Sequence, residues 1–148
     1  GRKKELRQVG DGTNMVDISY IDNVAHAHIL AAENLVSTGT ASGKAYFISQ
    51  GEPVNLWHWI AVLYDEMDIP KISDQVSFPF AYRVGGILEM IYNLFSIRKE
   101  PKMTRFLAEQ LAKSHYFSIE NAKRDFGYEP LVSTAEGLRR TVKWLKSK

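Results

Sequence analysis

The chain has 148 residues, of which 45% are hydrophobic and 24% charged, and its formal net charge is +2. These proportions are typical of a globular domain and exclude a disordered, fibrous or strongly basic nucleic-acid-binding class, while the absence of cysteine excludes disulfides, a thiolate nucleophile and Cys-ligated zinc. We expect one α/β (α+β as a fragment) domain over residues 1–148, cytoplasmic, without a nucleic-acid partner, and cut from a longer protein because it starts at Gly1 without Met.

Two short strands are predicted around a glycine turn near the start of the chain. Glu5 to Val9 forms the first, and Val16 to Ile21, rich in β-branched and aromatic residues, forms the second. The Gly-Asp-Gly-Thr-Asn sequence between them is typical of a turn. A helix follows from Asp22 or Asn23, each a good N-cap residue, to about Ser37.

Apolar spacing predicts which face of this first helix is buried. The predicted face contains Ile21, Val24, Ala25, His28, Ala32, Leu35 and Val36. We expect His28 to be a core histidine and His26 to be solvated, because residues two apart point to nearly opposite sides of a helix. Since a helical pair of metal ligands needs a spacing of three or four, no metal site is predicted.

A second strand-then-helix unit is predicted in the next part of the chain. Lys44 to Ser49 forms the strand, and Asn55 to about Met67 forms the helix. Aromatic residues at helical spacing usually belong to the core, so we expect Trp57, Trp59 and Tyr64 to be buried.

The longest apolar stretch runs from Phe78 to Ile97 and predicts a helix. At ~1.5 Å per residue its length is sufficient for a bilayer core. Arg83 and Glu89 argue against a span, because each is costly at mid-membrane. We favour a helix that covers an apolar pocket, and an interfacial membrane anchor and a true span are the alternatives.

Three further helices are predicted towards the end of the chain. One covers Met103 to Lys113; a short one is capped by Ser118 and ended by Gly127; the last begins with a capping box formed by Ser133 and Glu136. The basic residues of the last helix fall on its outer face, where we expect them to be solvated: Arg139, Arg140, Lys143, Lys146 and Lys148.

The chain lacks the sequence signals of nucleotide binding and short-chain hydride transfer. A dinucleotide fingerprint needs three glycines that lead into a helix, whereas here the third position is Met15 and a strand follows. No tyrosine has a lysine four residues later, the spacing that would hold a catalytic phenol acidic. We therefore predict no catalytic and no cofactor-binding residue within this chain.

Three blocks of sequence resemble one family in its own order. They are "GDGTNMVDISYIDNVAHAHILAAENL", "SGKAYFISQGEPVNLWHWI" and "KSHYFSIENAKRDFGYEPLVSTAEGLRRTVKWL". Together they resemble the C-terminal half of the extended short-chain dehydrogenase/reductases, in the branch of 3β-hydroxysteroid and sterol-4α-carboxylate dehydrogenases. The resemblance implies a full-length enzyme whose N-terminal Rossmann half holds NAD or NADP and the Tyr/Lys pair, while this half shapes the substrate pocket. The fragment alone is expected to be inactive.

One position favours an apolar substrate within that superfamily. Relatives that act on nucleotide sugars often place an Arg just before the residue matching Asp17, and here Val16 stands there, which cannot pair with phosphate. We expect an apolar, steroid-like secondary alcohol, oxidised to a ketone. The predicted substrate-binding residues are Val16, Tyr20, Phe80, Tyr82 and Val84.

Several alternatives remain open from the sequence. A nucleotide-sugar epimerase or dehydratase of the same superfamily is the second enzyme hypothesis, and a membrane-surface or interaction module built on residues 78–97 is the third. Asp17 is expected to bind backbone N–H groups of a neighbouring turn. A homo-oligomer is expected because the cut sheet leaves strand edges that can pair.

Overall fold

The computed structural model describes residues 6–148, which contain six helices and four two-residue strands. The strands are β1 (Gln8–Val9), β2 (Met15–Val16), β3 (Val54–Asn55) and β4 (Gln75–Val76). The helices are α1 (Ile21–Val36), α2 (Leu56–Glu66), α3 (Phe78–Leu94), α4 (Arg105–Ala112), α5 (Glu120–Phe126) and α6 (Thr134–Lys146).

The chain divides into two compact units. The first contains residues 6–15 and Asn55–His115, and the second contains Val16–Val54 and Tyr116–Lys148. Strands β2 and β3 pair with each other. The interpretation of residues 1–148 as a single substrate-binding domain stays a prediction.

The first unit is built on a short parallel sheet and three helices. Strands β1 and β4 pair in parallel, with Val9 opposite Val76. Helices α3 and α4 pack closely against each other. The core is formed by Val9, Trp57, Ala81 and Ala108, so burial of apolar surface from one strand and three helices stabilises this unit.

The second unit is built from α1, α5, α6 and the loop before α2. Its core is formed by Ala27, Ile119, Ala122 and Tyr128. Tyr128 is fully buried and its hydroxyl donates to the Ser49 carbonyl at 2.8 Å. Burial raises the pKa of this phenol, which therefore stays protonated as a hydrogen-bond donor.

Helix ends and turns follow the local sequence closely. The Ser133 hydroxyl accepts from the Glu136 backbone N–H at the start of α6, and Gly127 ends α5 with a left-handed φ of 67°. Gly10 and Gly12 have φ of 79° and 82° in the turn between β1 and β2, a conformation that glycine adopts without steric cost. The Ser133 cap, the Gly127 helix end and the glycine turn are therefore confirmed. The Glu136 half of the predicted capping box is not, because its carboxylate accepts from Arg139 and Arg140. The N-cap of α5 is Ile119 instead of the predicted Ser118.

Two predicted strands differ from the structure. Residues 44–49 form no strand, and the second strand is limited to Met15–Val16 instead of reaching Ile21. The predicted strand from Glu5 to Val9 is observed at Gln8–Val9, and Glu5 lies outside the described residues. β-Branched and aromatic residues favour a half-buried strand surface, but a strand also needs a neighbouring strand to pair with. The sequence does not reveal that partner, so the predicted strands are longer or more numerous than the observed ones.

The buried face of α1 is the opposite of the predicted one. Asn23, Ala27 and Asn34 are the buried residues of this helix, while Leu35 and Val36 are 54% and 89% exposed. The predicted core histidine, His28, is also exposed, with Nδ1 at 2.7 Å from the carbonyl oxygen of Val24. The spacing of apolar residues predicted that the apolar face of α1 is buried. The residues of α1 that are buried in the structure are instead small or polar.

Asn23 is not the helix cap that the sequence predicts. Tyr20 occupies the N-cap position, and Asn23 is 1% exposed. Its amide oxygen accepts from the backbone N–H groups of Leu131 and Val132, and its amide nitrogen donates to the Val132 carbonyl. The side chain thus joins α1 to the turn that precedes α6.

Helix α3 confirms the predicted helix within residues 78–97. It begins at Phe78 and ends at Leu94. No helix among residues 6–148 combines the length and apolar character needed to cross a bilayer. Trp57 and Tyr64 of α2 are buried, as predicted from their spacing, whereas Trp59 is only half-buried.

Candidate substrate pocket

An apolar cavity of about 250 Å³ lies in the first unit among β1, β4, α3 and the segment that leads into α4. The lining residues are Leu6, Arg7, Val9, Val76, Phe80, Ala81, Val84, Lys102, Met103, Leu107 and Leu111. Apart from Arg7 and Lys102, every lining side chain is apolar. A concave apolar site with a few polar groups is the usual form of a small-molecule pocket.

Small residues of α3 allow the start of α4 to pack closely against α3 beside the cavity. Ala81 and Gly85, four residues apart, are the buried positions of α3. A Cβ built on Gly85 would lie 2.6 Å from the carbonyl carbon of Thr104 and 2.7 Å from the Arg105 nitrogen. Because these neighbours are backbone atoms, any side chain at residue 85 would displace the start of α4.

A carboxylate of α3 also binds the first turn of α4. Glu89 Oε1 accepts from the Arg105 backbone N–H, and Oε2 accepts from Arg105 Nε, both at 2.7 Å. The backbone hydrogen bond from Arg105, followed by the side-chain bond, lowers the pKa of the Glu89 carboxyl. The Thr104 hydroxyl caps the same turn through the Leu107 N–H at 3.0 Å. These contacts hold the α4 side of the cavity in place.

The structure brings two of the five predicted substrate-binding residues together in the cavity. Phe80 and Val84, one helical turn apart on α3, both line it. Tyr82 points elsewhere and packs against Phe78, with 5.6 Å between ring centroids. Val16 and Tyr20 belong to the second unit. The role of each as a substrate-binding residue stays a prediction.

Tyr20 and Val16 have defined surroundings within the second unit. Val16 is 3% exposed. The Tyr20 ring lies against Gly137 of α6, where a Cβ would meet ring atom Cδ2 at 3.1 Å. Its backbone N–H donates to Gln50 Oε1 at 2.6 Å. The ring also faces the guanidinium of Arg140 at 5.9 Å, which is a cation–π contact.

The sequence-based prediction missed the α4 side of the cavity. Leu107 and Leu111 are spaced four residues apart, so they share one face of α4, and Met103 precedes the helix. This spacing is a signal that the sequence contains. The position of Leu6 and Arg7 in the same cavity depends on the pairing of β1 with β4, which no local pattern reveals.

The glycine turn does not have the geometry of a dinucleotide loop. A Cβ on Gly12 would lie 2.6 Å from Gln8 Nε2, so the side chain of Gln8 fills the space beside this glycine. Gly10 similarly faces Ala112, and a strand follows the turn instead of a helix. A pyrophosphate needs open backbone N–H groups at a helix N-terminus. The residues present therefore do not fit NAD(P) at this turn.

Asp17 is used in the way that the sequence predicts. Its Oδ2 atom accepts from the Phe117 backbone N–H at 2.8 Å. This bond ties the segment after β2 to the segment before α5 within the second unit. Oδ2 thus makes a structural contact, and Oδ1 is buried without a hydrogen-bond partner among residues 6–148.

Comparison with known proteins decides the family. Residues 2–80 match the family model described as the 3-beta hydroxysteroid dehydrogenase/isomerase family. The chain belongs to this family. The sequence-based assignment to the extended short-chain dehydrogenase/reductases, in the 3β-hydroxysteroid dehydrogenase branch, is confirmed.

Curated relatives are similar over almost all of this chain. The 2-alkyl-3-oxoalkanoate reductase of Stenotrophomonas maltophilia is 50% identical over 139 residues, which are 94% of this chain and 42% of the relative. The mouse sterol-4-alpha-carboxylate 3-dehydrogenase, decarboxylating, is 33% identical over 144 residues, 95% of this chain and 40% of the relative. The chain thus spans about two fifths of the length of these relatives.

A solved structure shows the same fold. The UDP-glucuronic acid 4-epimerase from Bacillus cereus, in complex with NAD, superposes with a TM-score of 0.58 at 18% identity, over 94% of this chain and 33% of that chain. The fold class is therefore confirmed as α/β, the fold of part of a Rossmann-type dehydrogenase or epimerase. At this identity the likeness concerns the fold alone.

Proposed function

We propose that the chain is the substrate-binding part of an NAD(P)-dependent oxidoreductase that interconverts a secondary hydroxyl and a ketone on an apolar substrate. The apolar cavity beside α3 and α4 is the observation that carries this proposal. The two relatives described above are named as a reductase and a dehydrogenase. The reaction class follows from them, and the apolar substrate class follows from the cavity.

The cofactor is proposed to bind outside the residues described here. The glycine turn offers no pyrophosphate cradle, because Gln8 and Ala112 occupy the space beside its glycines. NAD or NADP supplies hydride transfer in such enzymes. The role of this chain is to bind and orient the substrate by excluding water from its apolar part.

An alkyl-chain substrate is favoured over a sterol ring system. Sites that enclose a drug-sized ligand have volumes of roughly 300–1,000 Å³, and this cavity has about 250 Å³. It has room for one chain or the edge of a ring system. The relative at 50% identity acts on a 2-alkyl-3-oxoalkanoate, by its name, and the sterol-named relative is 33% identical. The steroid-like substrate remains the second member of this apolar class.

The test is substrate turnover by the full-length protein that contains this sequence. Reduction of a 2-alkyl-3-oxoalkanoate, oxidation of a 3β-hydroxysterol and conversion of UDP-glucuronic acid are measured in parallel. We expect activity on an apolar substrate and none on the nucleotide sugar. Conversion of UDP-glucuronic acid alone would favour the epimerase hypothesis and overturn the proposal.

Two variants of α3 connect the activity to the cavity. Val84→Trp fills the cavity, whereas Ile87→Trp places the same ring at a 54% exposed position on the same helix. We expect kcat/KM to fall at least about ten-fold in Val84→Trp and to stay near wild type in Ile87→Trp. Equal effects of the two substitutions would contradict a substrate site in this cavity.

We also propose a peripheral membrane contact through residues 78–97, in a protein that is otherwise cytoplasmic. Apolar side chains near the end of α3 support it, because Met90, Leu94 and Phe95 are 63%, 76% and 70% exposed. Arg98, Lys99 and Glu100 follow Ile97 and are exposed, and their net positive charge suits an anionic lipid surface. Flotation with anionic vesicles is expected to recover the wild-type protein and to lose Leu94→Glu. Absence of wild-type binding would overturn this contact.

A further inference from the structure

The two charged side chains that line the cavity among residues 6–148 are both basic. Of residues 6–148, Arg7 and Lys102 are the charged residues that line the cavity, and none of the aspartates and glutamates in that range lines it. Both side chains are solvent-exposed, so they lie where the cavity opens to water. Lysine and arginine commonly place their methylene stems on apolar surface while the charge stays in solvent. An amphiphile in this cavity would therefore meet positive charge beside its polar end.

The two cations are not equivalent. Arg7 Nε lies 3.6 Å from Asp74 Oδ2, so this carboxylate offsets part of its charge. Lys102 forms no ion pair with any of residues 6–148. Lys102 is thus the cation with its charge available to a ligand, and Arg7 adds a weaker attraction.

We infer that the cavity binds the alkyl chain of a carboxylate-bearing substrate, and that Lys102 holds the carboxylate. This inference rests on the proposed function and adds the residue that selects the acidic group of the substrate. One available ammonium group suits the single charge of a carboxylate. A diphosphate would call for bidentate cations such as arginines, and the Arg7 guanidinium is already engaged by Asp74.

Lys102 is a specificity-determining residue in this account. Its contact with the carboxylate is made equally in the ground state and the transition state, since the carboxylate is not the reacting carbonyl. Loss of such uniform binding raises KM and leaves kcat nearly unchanged. This split between KM and kcat distinguishes a binding contact from a general loss of structure, which would lower kcat as well.

Binding of two matched probes tests the inference in the full-length protein. Decanoate and decanol have the same chain and differ in the carboxylate, and both are titrated by calorimetry. Lys102→Met keeps the apolar stem and removes the charge, and Lys99→Met, an exposed lysine outside the cavity lining, is the control. We expect decanoate to bind about ten-fold more weakly to Lys102→Met, with decanol unaffected and Lys99→Met like wild type.

Four outcomes would overturn the inference, and two of them come from the binding titrations. One is equal affinity of the wild-type protein for decanoate and decanol, and the other is an equal effect of the two lysine substitutions. If neutral ketones are reduced as well as 3-oxo acids, the carboxylate contact fails while the proposed oxidoreductase function stands. If Val84→Trp leaves binding of both probes unchanged, the cavity itself is not the site and the substrate-pocket proposal fails with it.

Discussion

Asn23 shows how a single polar side chain can hold two distant segments of this fold. It is 1% exposed, and its amide makes hydrogen bonds of 2.7–2.9 Å with the backbone of Leu131 and Val132. A buried amide is tolerated because both its donor and its acceptor are satisfied. Removing it would leave two N–H groups and one carbonyl without partners.

We expect Asn23→Ala to lower the free energy of unfolding by about 2–4 kcal/mol, because unpaired buried polar groups carry their full desolvation penalty. Glu33→Ala, an exposed change on the same helix, is the control and should alter stability little. Urea unfolding monitored by circular dichroism measures both. A loss for Asn23→Ala no larger than that for Glu33→Ala would contradict the assigned role.

Asp125 makes the second unit sensitive to acid. Its carboxylate accepts hydrogen bonds from Lys44, Tyr46 and Arg124, each at 2.8 Å. The bond from Lys44, followed by those from Arg124 and Tyr46, holds the pKa of this carboxyl well below its usual range. A lowered pKa in the folded state gives stability that is present above the unfolded pKa and is lost as the pH falls towards the folded value.

Asp125→Asn should lower Tm by several degrees at pH 7 and flatten the loss of Tm that the wild-type protein shows below about pH 4. Asp22→Asn removes a carboxylate that is 53% exposed and is the control. Thermal melts across this pH range supply the measurement. Parallel pH profiles for Asp125→Asn and the wild-type protein would rule out the linkage.

Helices α3 and α4 meet at a glycine that admits no side chain. Gly85→Ala would place Cβ within 2.6–2.9 Å of backbone atoms of Thr104 and Arg105. We expect it to destabilise the protein by roughly 1–3 kcal/mol through overpacking. Gly86→Ala is the neighbouring control, since its Cβ would be 3.5 Å from the flexible side chain of Arg105. That variant should be neutral, or more stable by up to about 1 kcal/mol because alanine favours helix. Equal stability of the two variants in urea would refute this packing.

Helix ends and turns were predicted well from the sequence, because interactions between residues a few positions apart determine them. The Ser133 cap, the Gly127 helix end and the turn at Gly10 and Gly12 depend on neighbours a few residues away. The α1 face was wrong because apolar spacing alone does not say which surface the rest of the chain covers. The strand predicted at residues 44–49 failed because strand formation needs a partner that the sequence does not name.

The candidate site could be predicted only in part, for the same reason. Phe80 and Val84 came from the apolar stretch that forms α3, and both line the cavity. Leu6 and Lys102 are far apart in sequence and line the same cavity through tertiary packing. Their convergence is a property of the folded unit and not of any local motif.

At the scale of the whole molecule, exposed apolar surface favours self-association of the isolated 148-residue chain. On α1, Ile29, Leu35 and Val36 are 58%, 54% and 89% exposed, in addition to the strand edges. We expect light scattering to give a mass above the 16.8 kDa of one chain. Ile29→Gln should shift the distribution towards the monomer, and a monomeric wild-type chain at the same concentration would contradict the prediction.

We propose that this chain binds the substrate, while another part of the full-length protein binds the dinucleotide. Calorimetric titration of NAD and NADP into the 148-residue chain and into the full-length protein tests it most directly. Circular dichroism first establishes that the 148-residue chain contains the expected helices. We expect the full-length protein to bind one dinucleotide and the 148-residue chain to bind none. Tight dinucleotide binding by the 148-residue chain alone would contradict it.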